Sequence, residues 1–550
     1  MDSFIHWTYT YQQSLFRLQS DIIELAGDGM REFLMNRRDA MRTGAAVLLA
    51  MPAMQRGVAA AGSTLRIRSI VDIQTLDPAF TYAVHEYNVN RAQLNNLITW
   101  KKNLSWDWEL DAAAAIEQVD PTHVTFALRD DLGWTNGFGP MTADDVKFSF
   151  ERIEDPELQS AYQADWALLD HVDVTGERTG TIVMKQPFAP LWNSTLPWVS
   201  GLIVCRKAVE ALPGKRIETE QPATSGPYKV TNWTPKQTLT MGRNDLWAGD
   251  KPDFDEIVFF PIDEDKTAEL GFEAGEFDFC TISISSVPDY RLAPPEGSTL
   301  IEVPALDYYW LGINVEHPKF QDIRVRHAVQ YALDIPAILD AAFFGVVDRA
   351  TGYQSASSLG HRDANLIEQR DLNKARALLA EAGVPEGFQT TLTIINATLW
   401  TDIAQVIQAN LAEVGIEVEI LTYDSGAFWT LGIESEGDTW KGIQMYLQLY
   451  NGLPDPAFQT QWFVPEQVGV WNWERWNSPE YKELNDLQLA EFDEITRAEY
   501  VRRMQELMED SGAYTFLTNG LAAILVRDSI VPVIRPDGIS LYLPGFKRAG

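Results

Sequence analysis

The chain has 550 residues, with 44 lysines and arginines against 78 aspartates and glutamates, a formal net charge of −34. Nucleic acid and anionic membrane surfaces would repel such a chain, so both are excluded as expected partners. Two cysteines and seven scattered histidines offer no HExxH and no Cys/His cluster at metal-ligand spacing, so neither a metal site nor a cofactor is expected.

The first informative segment is Met35-Asn36-Arg37-Arg38-Asp39-Ala40-Met41-Arg42, followed by an apolar stretch from Gly44 to Met54 and by Ala59-Ala60-Ala61. This order matches an export signal of the twin-arginine type with a small-residue cleavage site, which predicts a periplasmic protein. The apolar stretch is far shorter than the roughly 20 residues a membrane-crossing helix needs. Two readings stand for residues 1–34. Either translation starts at Met35, or they form an extension in which Leu15, Leu18, Ile22 and Leu25 share one helical face. Removing residues 1–61 leaves 489 residues, with 38 basic and 72 acidic side chains. That is too long for one hydrophobic core and enough for two lobes.

Beyond the signal, strand and helix patterns alternate without repeats, which predicts an α/β architecture. In residues 123–129, Val124, Phe126 and Leu128 fall on one face of a strand. After a Gly/Asn-rich turn, Thr142 is placed to cap a helix whose third residue is Asp145, with Val146, Phe150 and Ile153 on its buried stripe. Asp322 opens a helix carrying Val325, Ala328, Val329 and Ala332, and Pro336 interrupts or restarts it. Asn373 is read as the cap of a helix ending at Gly383. Residues 401–414 read as a helix stopped by Gly415, followed by the alternating strand of residues 416–420. Trp471-Asn472-Trp473 alternates as a strand would, placing both indoles on one face. Cys205 and Cys280, 75 residues apart, either form a disulfide or remain two buried thiols.

A nucleophile elbow (G-x-S-x-G), a phosphate loop (G-x-x-x-x-G-K-[ST]) and a G-x-G-x-x-G fingerprint are all missing. Several segments instead resemble one family, the peptide/nickel/opine class (family 5) of extracellular solute-binding proteins that serve ABC importers. Leu76-Asp77-Pro78-Ala79 is similar to its opening motif. Phe126-Ala127-Leu128-Arg129, Trp134 to Gly137 and Thr142-Ala143-Asp144-Asp145-Val146-Lys147-Phe148-Ser149 resemble its signature. Gly226-Pro227-Tyr228, Arg243-Asn244, Ala274-Gly275-Glu276, Arg324-Val325-Arg326 and Leu378 to Gly383 follow in family order. The resemblance implies a two-lobed periplasmic-binding-protein-like α/β fold of the large peptide-binding class (type II), with a hinge and an interlobe cleft. It places residues 62–305 in lobe I, 306–514 in lobe II and 515–550 in a C-terminal return to lobe I.

Relatives that bind dipeptides resemble one another in holding the ammonium with an Asp just before a Gly-x-Pro-Asp turn, and the carboxylate with an Arg ahead of the helix at 401–414. Here Tyr450 or Asn451 stands at the first position, ahead of Gly452-Leu453-Pro454-Asp455, and residues 394–400 contain no Arg. An unpaired buried ligand charge costs several kcal/mol, most of the roughly 8 kcal/mol of micromolar binding. This disfavours a free dipeptide and favours a longer peptide read through its backbone or a non-peptide solute. By the same resemblance the ligand-binding residues are Phe80, Tyr82, Trp400, Trp429, Tyr450, Asn451 and Asp455, joined by Trp471 and Trp473 from their shared strand face; the aromatic faces among them suit cations and sugars. For each aromatic, core packing is the competing reading.

The expected function is that of a monomeric exported receptor, not an enzyme. It captures a peptide or peptide-sized solute between its lobes and delivers it to the permease of an ABC importer in the inner membrane. The alternative is an exported hydrolase, supported by aromatic richness and by carboxylate runs such as Asp144-Asp145 and Asp263-Glu264-Asp265.

Overall fold

The structure, a computed structural model, describes residues 64–102, 105–247 and 249–550. The export signal read at 35–61 lies outside the described residues.

Two large sheets organise the chain. The first has seven strands in the spatial order Tyr228–Thr234, Thr238–Arg243, Glu256–Pro261, Thr64–Ser69, Phe279–Thr281, Leu521–Arg527 and Ser298–Pro304. Thr64–Ser69 runs parallel to its two neighbours, while the outer pairs are antiparallel. The second has five strands in the order Ile416–Tyr423, Phe388–Ile395, Met445–Tyr450, Tyr308–Ile313 and Tyr514–Thr518. Each sheet has its own hydrophobic core, one drawn from residues 65–279 and the C-terminal stretch 524–546, the other from residues 308–517. A third, small cluster covers the opposite face of the first sheet. Leu521–Arg527 serves both faces by simple alternation: Ile524 and Val526 enter the main core, while Ala523 and Leu525 enter the small cluster. The result is a two-lobed α/β fold.

A separate antiparallel sheet of four strands sits on the first lobe, in the order Ala113–Asp120, His123–Leu128, Thr179–Met184 and Leu169–Gly176. Val124, Phe126 and Leu128 point inward as the alternation predicts. The helix Ala143–Glu154 follows, and Asp145 closes its first turn by accepting from the Thr142 backbone N–H at 2.9 Å and from Trp134 Nε1 at 3.2 Å. Its Arg152 reaches the carboxylate of Asp77 with two bonds, Nη1 at 2.9 Å and Nη2 at 2.5 Å, both groups buried. Asp77 also accepts from the backbone N–H groups of Ala79 and Ile217. The Leu-Asp-Pro-Ala segment is therefore a structural clasp between the N-terminal strand region and this helix.

Asp322 caps the helix Ile323–Ala332, and Pro336 sits in the first turn of a new helix, Ile335–Phe343, capped by Asp334. The helix expected to start at Asn373 runs Leu372–Glu381 and is capped by Asp371, whose side chain accepts from Lys374 N. The helix read from 401 runs Thr398–Ala412, one turn longer at its start, and Gly415 leaves it with φ +82°. Trp471–Trp473 is not a strand. It lies in a turn-rich loop knitted by Asn472, whose Nδ2 donates to Phe463 O at 3.1 Å and to Trp476 O at 2.8 Å. Cys205 and Cys280 are free and buried, and burial pushes both thiols up, Cys205 to about 11 and Cys280 to about 12. No helix among the described residues is long and apolar enough to cross a membrane.

Candidate solute site at the hinge

The chain passes between the two sheets at two adjacent places. Ala305-Leu306-Asp307 joins Ser298–Pro304 to Tyr308–Ile313, and Asn519-Gly520 joins Tyr514–Thr518 to Leu521–Arg527. The flanking strands pair across both passages, Pro304 with Leu521 on one side and Tyr309 with Thr518 on the other. Between them Ala305 N donates to Gly520 O at 3.4 Å and Asn519 Nδ2 to Asp307 O at 3.3 Å. Gly520 has φ +75°, a left-handed conformation that glycine adopts without strain. Two short strands side by side, with few bonds between them, form a hinge.

Asp307 lies in this hinge, partly accessible. Its Oδ1 accepts from Asn451 Nδ2 at 3.0 Å, and Gly452 N–H also bonds to the carboxylate. Desolvation in the hinge raises its pKa to about 6 despite these two bonds, and Asp537 from the C-terminal stretch adds a small push in the same direction. No cationic side chain among the described residues offsets it. Gly452 is there because nothing larger fits, since a Cβ would lie 2.1 Å from Leu306 O.

The sequence-predicted residues distribute unevenly around this point. Asn451 binds Asp307 directly. Trp400 is 7 % exposed, and its ring lies 5.8 Å from that of Tyr309, which follows the hinge. Tyr450 is 1 % exposed, and its hydroxyl donates to Trp471 O at 3.0 Å. Trp471 and Trp473 are buried in the second core, with the indole N–H of Trp473 donating to Val470 O at 3.0 Å. Trp429 packs edge-on against Phe428 at 5.4 Å. Asp455 is enclosed and held by Arg497 through two bonds, 2.7 and 2.6 Å, while it caps the helix Pro456–Thr460. It mirrors Asp77 and Arg152 in the other lobe. In the first lobe Phe80 lies under the guanidinium of Arg216 at 3.8 Å, and Tyr82 is half-buried beside it in sequence.

The lobes also meet away from the hinge. Trp106 Nε1 donates to Ser357 Oγ at 3.4 Å, and helix Pro479–Ala490 approaches the turn Ala189–Trp192. Trp106 belongs to an aromatic wall with Trp100 at 4.9 Å, and Trp198 lies 5.5 Å from Trp100 and 4.3 Å from Tyr87. A surface hollow of about 560 Å³ lies on helix Pro479–Ala490, lined by Lys482, Glu483 and Asp486 among others, and includes none of the nine predicted residues. Among the described residues no group of three or more His, Cys, Asp or Glu side chains is arranged to hold a metal ion.

Residues 108–468 match the family model described as bacterial extracellular solute-binding proteins, family 5, middle region. The chain belongs to this family. The glutathione-binding protein GsiB of Salmonella paratyphi A is 26% identical over 351 residues, 64% of this chain and 67% of that protein. HbpA2 from Haemophilus parasuis superposes with a TM-score of 0.77 at 23% identity, covering 88% of this chain and 100% of that one. DppA from Helicobacter pylori, solved in complex with the peptide STSA, gives 0.70 at 20% identity over 88% of this chain and 98% of that one. The two-lobed fold with its hinge is thus the fold of the family, and the protein is a solute-binding receptor.

Sequence reasoning did not reach Asp307. Asp307 is one acidic residue among 78, with no motif around it.

Proposed function

We propose that this receptor is exported to the periplasm by the twin-arginine route, binds a peptide or peptide-sized solute between its lobes, and presents it as a monomer to the permease of an inner-membrane ABC importer. The observation that carries the binding reading is the pair of adjacent passages at 305–307 and 519–520, which lets two separately cored lobes rotate about one line. Lobe I comprises residues 62–305 together with the C-terminal return, and lobe II the residues between. The pairing of Tyr514–Thr518 in the second sheet supports placing the start of the return at Asn519-Gly520, a few residues after the 515 read from the sequence.

Asp307, Asn451, Trp400 and Tyr82 are assigned to the solute-facing surface. Tyr450, Asp455, Trp471, Trp473, Trp429 and Phe80 support it from the cores. The acidic residue that dipeptide-binding relatives carry at the position of Asn451 is replaced here by Asp307, reaching the same place from the neighbouring strand. An ammonium group is the natural partner of a carboxylate with no cation beside it. Closure works by population shift, since a solute that contacts both lobes binds the closed form more tightly than the open one.

The test is thermal unfolding of the full chain with glutathione and with the peptide Ser-Thr-Ser-Ala, followed by recovery of the added compound. A receptor gains stability as RT ln(1 + [L]/Kd), about 2.7 kcal/mol at 100-fold excess over Kd, and returns its solute unaltered. Consumption of the compound would instead mark an enzyme.

A further inference from the structure

Val346 lies in the chain between the two hinge passages, which builds the second lobe, yet its side chain is buried in the first. It is 7 % exposed and belongs to the small cluster on the face of the first sheet away from the main core, with Phe272, Phe277, Cys280, Val287, Ala523 and Leu525. Its neighbour Val347 packs against both that cluster and the second core. The backbone is tied as well. Val346 O accepts from Arg291 Nη2 at 3.4 Å, and Arg291 is itself fixed on Glu302 by bonds of 2.9 and 2.6 Å.

The approach to this point is strained. Helix Ile335–Phe343 ends on two successive left-handed residues, Phe344 with φ +56° and Gly345 with φ +65°. Glycine adopts this conformation freely and phenylalanine does not, and strained backbone persists only where its surroundings fix it. The Phe344 side chain is largely exposed, which leaves Val346, two residues on, as the buried anchor of the turn.

The same loop straddles the hinge. Ala350 N donates to Leu517 O at 3.0 Å, just before Asn519-Gly520, while Val346 meets Ala523 and Leu525 just after it. At the helix end Phe343 packs edge-on against Tyr309, 5.3 Å away, just after the other passage. Two short strands alone permit twisting and sliding as well as rotation, and a packed contact outside them removes that extra freedom. Because it lies beside the passages, this contact travels little as the lobes rotate.

We propose that Val346 is a third bearing of the hinge, a socketed side chain that confines the lobes to one rotation and so sets the closed geometry offered to a solute. This rests on the two-lobed receptor reading above and adds the device that guides its closure.

The test needs no solute. Spin labels on Val119→Cys and Ile495→Cys report the distance between the lobes, and labels on Val119→Cys and Leu246→Cys report a distance within the first lobe, all at exposed sites. Every full chain also carries Cys280→Ala, so that the socket offers no thiol. In pulsed electron resonance the interlobe distribution of Val346→Ala is expected to be about twofold broader than with Val346 intact, around a similar mean, with the intralobe distribution unchanged. Val346→Thr, of the same shape, should broaden it less, and Phe344→Ala should leave it as it was. An interlobe width unmoved by Val346→Ala, equal broadening in Phe344→Ala, or a shifted mean without broadening, the mark of a latch on one end state, would each overturn the assignment. Broadening within the first lobe as well would overturn it too, since the side chain would then serve the fold of that lobe. The receptor reading fails separately, through turnover of a bound solute, which a solute-free measurement does not report.

Discussion

Glu474 is completely enclosed, accepts from Trp310 Nε1 at 2.7 Å and is ringed by Tyr446 and Tyr514. Burial raises its pKa to about 7, with the bonds from Tyr446 and Trp310 pulling the other way. Because the folded value lies above the ordinary value of 4.5, the stability tied to the protonated form is complete below that value and is lost as the pH rises through 7. Glu474→Gln should therefore gain about 2 kcal/mol relative to wild type at pH 8 and little at pH 4, read from urea unfolding at the two pH values. The Asp455–Arg497 pair gives Asp455 a structural load that a ligand contact alone would not carry. Asp455→Asn strands the buried Arg497 and should cost about 3–5 kcal/mol of stability whether or not solute is present. Stability unchanged in urea would return Asp455 to the solute surface. At this scale the sequence was legible for residues that belong to motifs, such as Asp77 and Asp145. It was silent for Asp307, an ordinary charge in the sequence until folding sets it in the hinge with no cation beside it.

At the scale of elements, the hinge depends on a close approach that the loop after Met445–Tyr450 supplies. Gly452→Ala puts a methyl group 2.1 Å from Leu306 O and should cost at least about 2 kcal/mol, whereas Gly442→Ala meets nothing within 4 Å and should stay within about 0.5 kcal/mol. Equal effects of the two, measured by chemical unfolding, would remove the hinge contact from the account. Capped helices with polar starts were readable, as Thr142 and Asp322 show. The helix Thr398–Ala412 was read short because its cap is Ala397, which carries no side-chain acceptor to signal a start. For the Leu372–Glu381 helix two polar residues compete, and the carboxylate of Asp371 takes the cap from Asn373. Trp471–Trp473 shows the limit of a period-two pattern. Alternation says which faces residues would occupy but not whether a neighbouring strand exists, and here a side-chain amide fixes the loop instead.

At the scale of the molecule, two cores joined at one line explain why so much of the chain serves support rather than recognition. The fold was legible because family marks recur in order along the chain, each of them a packing device whose spacing survives in the sequence. The route between the lobes was not, since the two passages are more than 200 residues apart and meet only through sheet pairing. The central claim is that the lobes close on an intact solute. The most direct measurement is the distance between spin labels on Val119→Cys and Ile495→Cys, exposed sites of the two lobes, taken by pulsed electron resonance before and after addition of solute released from the natively purified protein. Cys205 and Cys280 are buried and do not compete for label. The account predicts a shorter, narrower distance distribution with solute and recovery of that solute unchanged. An identical distribution at saturating solute, or chemically altered material after incubation, would contradict it.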